Sequence, residues 1–529
     1  MESESAVSEL AEPNLRRLLS TAGLDVEYVR AVGNTLFRKD ANGREVPVLD
    51  YAAGYGALIF GHNHPEIVAR ARELLDEQIP VLAQFSSHPY ANRLADELNR
   101  IIHRETGTTE PYYATFANSG AEGVEAAVKH AELDRVLSLS AHLDEAEEST
   151  RAARAAVEAG TATVPEGLRD SLGLGRPADG EQDIERLCGE IGRRNDERRN
   201  RPPVFLALES GFHGKLMGSV QLTHNPGYRE PFTALGATTR FVPVGRPDVL
   251  KEVFEQERGV LLRLTVERGE VRVGEREHHT VCAFLLEPIQ GEGGIHPLPR
   301  KFAEEIQAFS EETGCPLVID EIQSGMGRTG TFLAGTHLGL RGDYYVLAKA
   351  LGGGIAKAAV MLVRETRYRP EFELLHSSTF AKDSFSCYVA LKVLDMLEAG
   401  GGEGYRLAEE RGAALAAMLE RVAAGFPDVV KEVRGRGLML GFEFHDQCDA
   451  KDDALREAAR SSLFGYVIAG HLLHRHAIRS FPTASAVHTL RFEPSVLLTD
   501  AEIDRLEEAL TDVCGIVRDQ SSQRLVLTS

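Results

Sequence analysis

Short apolar runs recur through the centre of the chain, and each is followed by a polar or glycine-rich turn. They span residues 204–208, 281–286, 316–319 and 344–348. Runs that are apolar at every position are typical of strands buried on both faces, as in a parallel sheet covered by helices. The pattern therefore predicts a mostly parallel sheet.

Amphipathic segments between these runs predict the covering helices. In residues 300–314, Phe302, Ile306 and Phe309 share one helical face, and Gly314 is placed to cap the helix end. Alternation of buried strands with amphipathic helices is typical of an α/β fold. We therefore expect an α/β domain at the centre of the chain.

Two stretches interrupt this alternation. Residues 133–203 are polar and contain two helical patterns, one on each side of a Pro/Gly-rich joint. Residues 258–274 predict a hairpin with its turn near Gly269. Both stretches are interpreted as additions to the alternating core.

Polar side chains follow the four predicted strands. These are Glu209, Glu287, Asp320 and Lys349. Ligands of open α/β sheets bind outside the carboxyl ends of the strands, so three carboxylates and a lysine there predict an active-site ring. The alternative is that polar residues commonly follow strands without any catalytic role.

The composition narrows the classes of function. The 529 residues are 43% hydrophobic, enough for a large core, and their net charge of −21 repels nucleic-acid backbones. The six cysteines are scattered, and no apolar run approaches membrane-spanning length. His62 and His64 have no evident third ligand, so no metal site is predicted. We expect a cytoplasmic protein without nucleic-acid or membrane partners.

Two glycine-containing loops are candidates for binding an anion. Gly325, Gly327 and Gly330 spell the G-x-G-x-x-G pattern of dinucleotide sites, but no helix is predicted after them to hold a pyrophosphate. Ser119 and Gly120 instead precede a helical pattern, and free backbone N–H groups there would favour a monophosphate. The alternative for this second loop is an ordinary helix cap.

Eight motifs follow one another in an order that resembles a known enzyme family. In sequence letters they are NSGAEGVEAAVK, ESGFHGK, EPIQGEGG, IDEIQSGMGRTG, LAKALGGGI, HSSTF, RGRGLMLGFEF and LRFEP. Together they resemble the class III (ornithine/ω-type) pyridoxal-phosphate-dependent aminotransferases of fold type I. The resemblance runs from about residue 50 to about residue 510, apart from the two additions.

The resemblance implies a particular domain organisation. A large cofactor-binding domain, residues 90–385, would contain the mostly parallel sheet with its covering helices and both additions. A smaller α+β domain would combine the N-terminal segment, residues 1–89, with residues 386–529.

Positions that match the family's motifs imply how pyridoxal 5′-phosphate would be held. Lys349 matches the lysine that forms the Schiff base and transfers protons, a task that suits an amine whose pKa burial can lower. Asp320 matches the aspartate that keeps the pyridine nitrogen protonated, and Gln323 matches the residue that contacts the ring hydroxyl. Phe212 matches the aromatic residue stacked on the ring, with His213 beside it.

Further matches concern the cofactor's phosphate and the second subunit. Ser119, Gly120 and Ala121 match the phosphate cradle, and Glu287 is grouped with the cofactor-binding residues. Thr379 matches a threonine that reaches the phosphate bound by the neighbouring subunit. The resemblance therefore implies a homodimer with shared active sites.

The expected substrate contacts also come from the resemblance. Arg491 matches the arginine that holds an α-carboxylate, a bidentate role that suits a guanidinium, although an interdomain salt bridge is the alternative. Glu292 matches a gate glutamate that masks this arginine, and Tyr55 matches an aromatic residue of the pocket. Lys215 stands where many members have an arginine for a distal carboxylate, so that contact is in doubt.

The implied reaction is a ping-pong transfer from an amino acid donor, L-glutamate being expected, to an aldehyde or ketone. The two additions favour a specialised acceptor, and the pattern resembles aminotransferases acting on a bipyridyl aldehyde in caerulomycin-type antibiotic pathways. The alternatives are an ornithine, acetylornithine or diamine ω-aminotransferase of primary metabolism, and an aminomutase. A decarboxylase or racemase also stays open, whereas the presence of Lys349 and Asp320 disfavours a non-catalytic protein.

A second departure from the family's motifs follows Thr379. The family usually follows its threonine with a Gly-Gly-Asn turn, and residues 381–383 are Ala-Lys-Asp here. A different geometry is therefore expected for the loop after Thr379.

Overall fold

A seven-stranded sheet forms the centre of the protein in a computed structural model that describes residues 11–175 and 182–525. In chain order the strands are Tyr112–Ala117, Val204–Leu208, Thr238–Val242, Val281–Leu286, Leu317–Asp320, Tyr344–Leu347 and Ala359–Arg364. Across the sheet they follow the order first, seventh, sixth, fifth, fourth, second and third. Ala359–Arg364 runs in the direction opposite to the other six strands of this sheet. The predicted mostly parallel sheet is confirmed.

The four predicted runs all form strands of this sheet, and three further strands were missed. Tyr112–Ala117 and Thr238–Val242 contain exposed or partly exposed positions, so no unbroken buried run marks them. Ala359–Arg364 is buried at its first five positions. This strand is an unbroken apolar run like the four predicted strands, so the same criterion could have identified it.

Helices cover both faces of the sheet and pack around its ends. Those of eight residues or more are Pro13–Thr21, Pro65–Asp76, Pro89–Thr106, Gly120–Glu158, Asp183–Arg199, Pro247–Gln256, Arg300–Thr313, Ser384–Gly425, Asp453–Arg460, Phe464–His476 and Asp500–Arg518. The helix predicted over 300–314 is confirmed, with Gly314 in the left-handed conformation at its end. Within the described ranges, no helix combines the length and apolar composition needed to cross a membrane.

Two smaller four-stranded sheets lie outside the large sheet, and the first of them joins the beginning of the chain to its last third. One consists of Tyr28–Val32, Thr35–Lys39, Glu45–Asp50 and Ile478–Arg479; the other of Val430–Arg436, Met439–Phe444, Thr489–Phe492 and Phe481–Pro482. In the first sheet, Glu45–Asp50 pairs in parallel with Ile478–Arg479. The N-terminal segment is therefore tied to C-terminal residues, although the predicted domain boundaries stay a prediction.

The two predicted additions come together as one module. Arg258–Glu267 and Glu270–His279 form the expected hairpin, which turns at residues 268–269 and extends five residues beyond the predicted end. The C-terminal half of Gly120–Glu158 and the helix Asp183–Arg199 pack on this hairpin. Their shared core consists of Ala153, Ala162, Leu172, Ile184, Leu187, Ile191, Leu262, Leu264 and Val271.

The module lies far from the carboxyl edge of the sheet within the same chain. The hairpin first packs on the long helix at Leu139, 19 residues after Gly120, the first residue of that helix. At about 1.5 Å per residue, that separation is roughly 30 Å along the helix axis. The described residues of the additions therefore offer no lining for this chain's own strand-end site.

The glycine loop after Asp320 serves to bury an arginine. Residues 321–330 form turns without a helix, as predicted. Arg328 is fully buried and donates hydrogen bonds of 2.8–3.1 Å to the backbone carbonyls of Gly56, Leu438, Glu493 and Pro494. Burial lowers the pKa of Arg328 to about 10. This guanidinium joins the N-terminal segment, the large sheet and the C-terminal sheet.

Replacing Arg328 by methionine should destabilise the protein strongly. Four buried carbonyls would lose their donor, and we expect a loss of at least about 3 kcal/mol in the free energy of unfolding. Denaturant unfolding followed by circular dichroism measures the change. Arg300→Met is the control, because Arg300 is exposed on a helix surface. Equal stability losses in the two variants would contradict the role of Arg328.

Candidate active site

The carboxyl ends of four neighbouring strands meet at one edge of the large sheet and carry Glu209, Glu287, Asp320 and Lys349. The parallel register between the strands that end near residues 286 and 320 sets Asp320 beside Glu287. Glu209 offers its backbone carbonyl to Gln290 at 2.7 Å. The residues predicted as a ring are thus brought to one edge.

Asp320 and His213 form a buried pair at the centre of this edge. Asp320 Oδ2 lies 2.8 Å from His213 Nδ1, and both side chains are almost completely shielded from solvent. Burial alone would lower the pKa of His213, but the hydrogen bond and charge of Asp320, with the charge of Glu287, raise it overall. The Asp320 carboxylate is therefore fixed in orientation by a fully buried imidazole.

Glu287 holds the loop that carries Phe212. Its two carboxylate oxygens accept hydrogen bonds from the backbone N–H groups of Phe212 (2.8 Å) and Gly291 (3.0 Å). Burial raises the pKa of Glu287 to about 7, against the opposing charge of His213 and the two backbone hydrogen bonds. Its contacts are with protein backbone, so we regard it as a support for the Phe212–His213 segment.

Lys349 directly follows its strand and has a backbone conformation that residues other than glycine rarely adopt. Its φ of 44° lies in the left-handed region, which is costly for a residue other than glycine and is often retained at functional sites. Burial lowers the pKa of Lys349, although the charges of Glu493 and Glu292 oppose the shift. Within the described residues, no hydrogen bond or ion pair holds its amine. A neutral amine with no fixed partner can act as a nucleophile or a base.

The predicted phosphate cradle lies at the start of the long helix. Ser119 caps the helix by accepting a hydrogen bond from the N–H of Glu122 (3.3 Å). Gly120 packs directly on Ile322, since a Cβ at position 120 would come within 2.7 Å of that side chain. The helix start is thus pressed against the turn that follows Asp320.

Glu292 and Arg491 form a bidentate ion pair beside Lys349. Arg491 is buried, and its Nη1 and Nη2 lie 2.6 and 2.5 Å from the two oxygens of Glu292. Burial would raise the pKa of Glu292, but the charge and hydrogen bonds of Arg491 hold it at about 2. The pair expected from the sequence is therefore present and ionised at neutral pH.

Aromatic side chains surround this ion pair. The Arg491 guanidinium lies 5.0 Å from the ring centre of Tyr55, and Tyr55 stacks on Phe481 at 6.3 Å. Burial raises the pKa values of Tyr228 and Tyr466, and the negative charge of Glu292 adds to both shifts. The pocket expected at Tyr55 thus has further aromatic walls that sequence analysis did not identify.

Two candidate residues lie apart from the buried groups. Lys215 is exposed, and its ammonium lies 3.9 Å from the ring centre of Tyr228. Thr379 is also exposed; its carbonyl accepts a hydrogen bond from Gln84 at 2.8 Å. The neighbouring Ser378 bonds to Asn118, so the Thr379 loop lies next to this chain's cradle.

Gln323 has a partner that sequence analysis missed. Its amide nitrogen lies 2.8 and 3.0 Å from the two oxygens of Glu493, which is completely buried. A signal was available, because Glu493 stands two residues after Arg491 and alternate residues of an extended strand share a face. Glu493 therefore belongs with the residues of this site.

The chain matches the family model for "Aminotransferase class-III" over residues 20–513. The chain belongs to the class III aminotransferases. These enzymes depend on pyridoxal phosphate, and that cofactor was expected from the motifs. The predicted family, fold type and cofactor are therefore confirmed.

Named relatives agree with this membership of the class III aminotransferases. The chain is 27% identical over 496 residues to a putrescine aminotransferase from Pectobacterium atrosepticum, covering 92% of this chain and 82% of the relative. The ornithine aminotransferase of Toxoplasma gondii superposes with a TM-score of 0.65 at 21% identity, covering 94% and 92% of the two chains. An amine transaminase from an uncultivated Pseudomonas species gives 0.66 at 20% identity, covering 97% and 99%. The two solved structures support the fold.

The residues of this aminotransferase fit the cofactor. Among the described residues the Lys349 amine has no fixed partner, and the Asp320 carboxylate is buried and oriented by His213. The long helix begins at Gly120, and the backbone N–H groups of a helix start suit a phosphate. The individual roles expected for the site residues stay predictions.

Proposed function

We propose that this enzyme takes its amino group from L-glutamate and passes it to a carbonyl compound without an α-carboxylate, by a ping-pong mechanism. The observation that supports this proposal most directly is the buried pair of Glu292 and Arg491 beside Lys349. A bidentate guanidinium suits an α-carboxylate. Glu292 already occupies this guanidinium, and it can stay there when the substrate has no α-carboxylate.

Two substrates that use one site in turn explain why such a pair is useful. Glutamate would bind with its α-carboxylate in place of Glu292 on Arg491. With the second substrate, Glu292 would stay paired, because an uncompensated buried guanidinium is strongly unfavourable. Arg491 would thus be paired with a carboxylate in both half-reactions.

We assign the chemistry of the site as follows. When bound, pyridoxal phosphate supplies an electron sink for the carbon that loses a proton. Lys349 would remove and return that proton, since its lowered pKa favours the free amine. Asp320, oriented by His213, would keep the pyridine nitrogen protonated.

The remaining assignments concern binding and orientation. Phe212 would cover one face of the ring, and the Gln323 amide would donate to the ring hydroxyl. The backbone N–H groups at Ser119, Gly120 and Ala121 would hold the phosphate at the positive end of a 39-residue helix.

The second substrate is proposed to carry its amine or aldehyde at the end of a chain. Putrescine and ornithine, which name two of the relatives, both have terminal amines. This supports the ω-aminotransferase alternative. A specialised acceptor such as a bipyridyl aldehyde also lacks an α-carboxylate and would leave Glu292 paired with Arg491. The two additions were the argument for such an acceptor, and that argument is removed because the added module lies away from the strand ends.

A homodimer is proposed from an apolar surface beside the cradle. Leu82, Phe85, Leu374, Leu375 and Phe380 are exposed, and their segments are joined by hydrogen bonds to one another. A clustered apolar surface of this kind marks an interaction site. We propose that a second copy covers it and brings its own Thr379 towards this cradle. A monomeric holoenzyme in sedimentation velocity would overturn this arrangement.

The proposed reaction is tested with glutamate and a panel of terminal amines and aldehydes. Purified holoenzyme should be yellow, lose that colour with glutamate and release 2-oxoglutarate. Lys349→Ala should lower turnover by at least about 10³-fold, because it removes the proton-transferring amine. Lys357→Ala, a change at an exposed lysine nearby, is the control.

Each rival predicts a different result in this assay. An aminomutase would release no 2-oxoglutarate. A decarboxylase or racemase would convert the amino acid without any acceptor. Either result would contradict the proposed transfer.

Glu292→Gln should separate the two half-reactions. Without the competing carboxylate, glutamate should reach half-saturation at about tenfold lower concentration, equivalent to about 1.4 kcal/mol. The half-reaction with a terminal amine should slow, because Arg491 would be left uncompensated. Single-turnover kinetics with each substrate measures both effects.

Glu508→Gln is the matched control, since it makes the same change at an exposed position on the last long helix. The Glu292 carboxyl, with a pKa of about 2, stays ionised above pH 5, so the effects should be constant between pH 6 and 9. Equal changes in both half-reactions would refute the gate.

A further inference from the structure

Glu493 occupies a buried position between two residues of the site. Its side chain is completely shielded from solvent. Its oxygens lie 2.8 and 3.0 Å from Gln323 Nε2, and Oε2 lies 3.8 Å from Arg491 Nη1. The carboxylate is therefore much closer to Gln323 than to Arg491, which Glu292 already holds.

The backbone of Glu493 is fixed on both sides. Its N–H donates to the Tyr51 carbonyl at 2.8 Å, and its carbonyl accepts from Arg328 Nη1 at 3.1 Å. Gly56 closes over the side chain, since a Cβ there would come 3.1 Å from Glu493 Oε1. The carboxylate is thus held in one place before any ligand binds.

This carboxylate determines which way the Gln323 amide faces. An ionised carboxylate can only accept hydrogen bonds, so it selects the amide nitrogen. The amide oxygen is packed on Gly291, where a Cβ would come within 2.0 Å of Oε1. Turning the amide over would set two oxygens against each other and leave a buried donor against a glycine backbone.

We propose that Glu493 is a positioning residue that holds Gln323 as a hydrogen-bond donor for the cofactor's ring hydroxyl. The proposal rests on the binding roles given under the proposed function. Glu493 itself touches neither substrate nor cofactor in this assignment. Apart from the charge that it exerts on Lys349, its effect on the cofactor passes through the amide of Gln323.

A double-mutant cycle on cofactor binding tests this inference. The dissociation constant of pyridoxal phosphate is measured by absorbance after reconstitution of wild type, Glu493→Gln, Gln323→Ala and the double variant. Glu493→Gln should weaken cofactor binding about tenfold, the range expected for a hydrogen bond to a charged group. Once Gln323 is alanine, the second substitution should change binding less than twofold, because the two residues act as one unit.

A second readout separates positioning from a general structural role. The absorbance of the bound cofactor is titrated with pH in the holoenzyme. Loss of an oriented donor to the ring hydroxyl should shift the midpoint of this titration when Glu493→Gln is made in wild type but not when it is made in Gln323→Ala. Loss of the Glu493 charge on Lys349 alone would instead shift both equally. Glu508→Gln, an exposed change on the last long helix, should leave the midpoint in place. Glu493→Asp, which keeps the charge but withdraws it by one methylene, should show a smaller shift and is the test variant if Glu493→Gln does not fold.

Several outcomes would overturn the proposal. They are unchanged cofactor binding in the Glu493 variants, additive losses in the cycle, and a spectral midpoint that does not move. None of these readouts requires amino transfer. If wild type binds cofactor but releases no 2-oxoglutarate from glutamate, the proposed function fails while the cycle still decides the role of Glu493.

Discussion

The buried guanidinium of Arg328 is the constraint on which the site depends. It has no carboxylate at hydrogen-bond distance within the described chain and instead donates to carbonyls from three separate segments. Burying an arginine in this way is stable only if those carbonyls stay where they are. Gly56 lies one residue after Tyr55, and Glu493 lies two after Arg491. The interaction that joins the segments therefore also fixes two sides of the pocket around Arg491.

Charge balance follows from the same burial. Arg491 and Arg328 bring positive charge into a region shielded from water, and Asp320, Glu292 and Glu493 oppose it. In such surroundings each ion is costly without a partner. For the proposed gate, this means that Arg491 would be compensated by Glu292 or by a substrate carboxylate in each half-reaction. The charges of several carboxylates act on Lys349 at once and raise its pKa. Burial has the larger effect and lowers that pKa overall, which favours the neutral amine.

The sequence was most informative where chemistry and strand pattern coincide. Asp320 and Lys349 each follow an unbroken buried run, so their position at one sheet edge could be predicted from periodicity alone. The Glu292–Arg491 pair came from motifs, because the two residues stand 199 positions apart in the chain and only tertiary structure brings them together. The union of the two additions into one module was not predicted, since a hairpin and two helices show no periodic relation before they share a core. Glu493 was overlooked although it stands inside a recognised motif.

The residues proposed to bind the donor differ in type from those proposed to bind the acceptor. This difference explains why the sequence predicts the donor better than the acceptor. In the proposed function, the amino acid donor is held by the ionic pair of Glu292 and Arg491, and both residues stand inside recognised motifs. The acceptor is proposed to contact Tyr55, Tyr228, Tyr466 and Phe481, which come from four separate segments. Aromatic side chains recognise a substrate mainly through contact area, which many combinations of residues can supply. The motifs therefore indicate the type of donor, whereas they do not identify the acceptor.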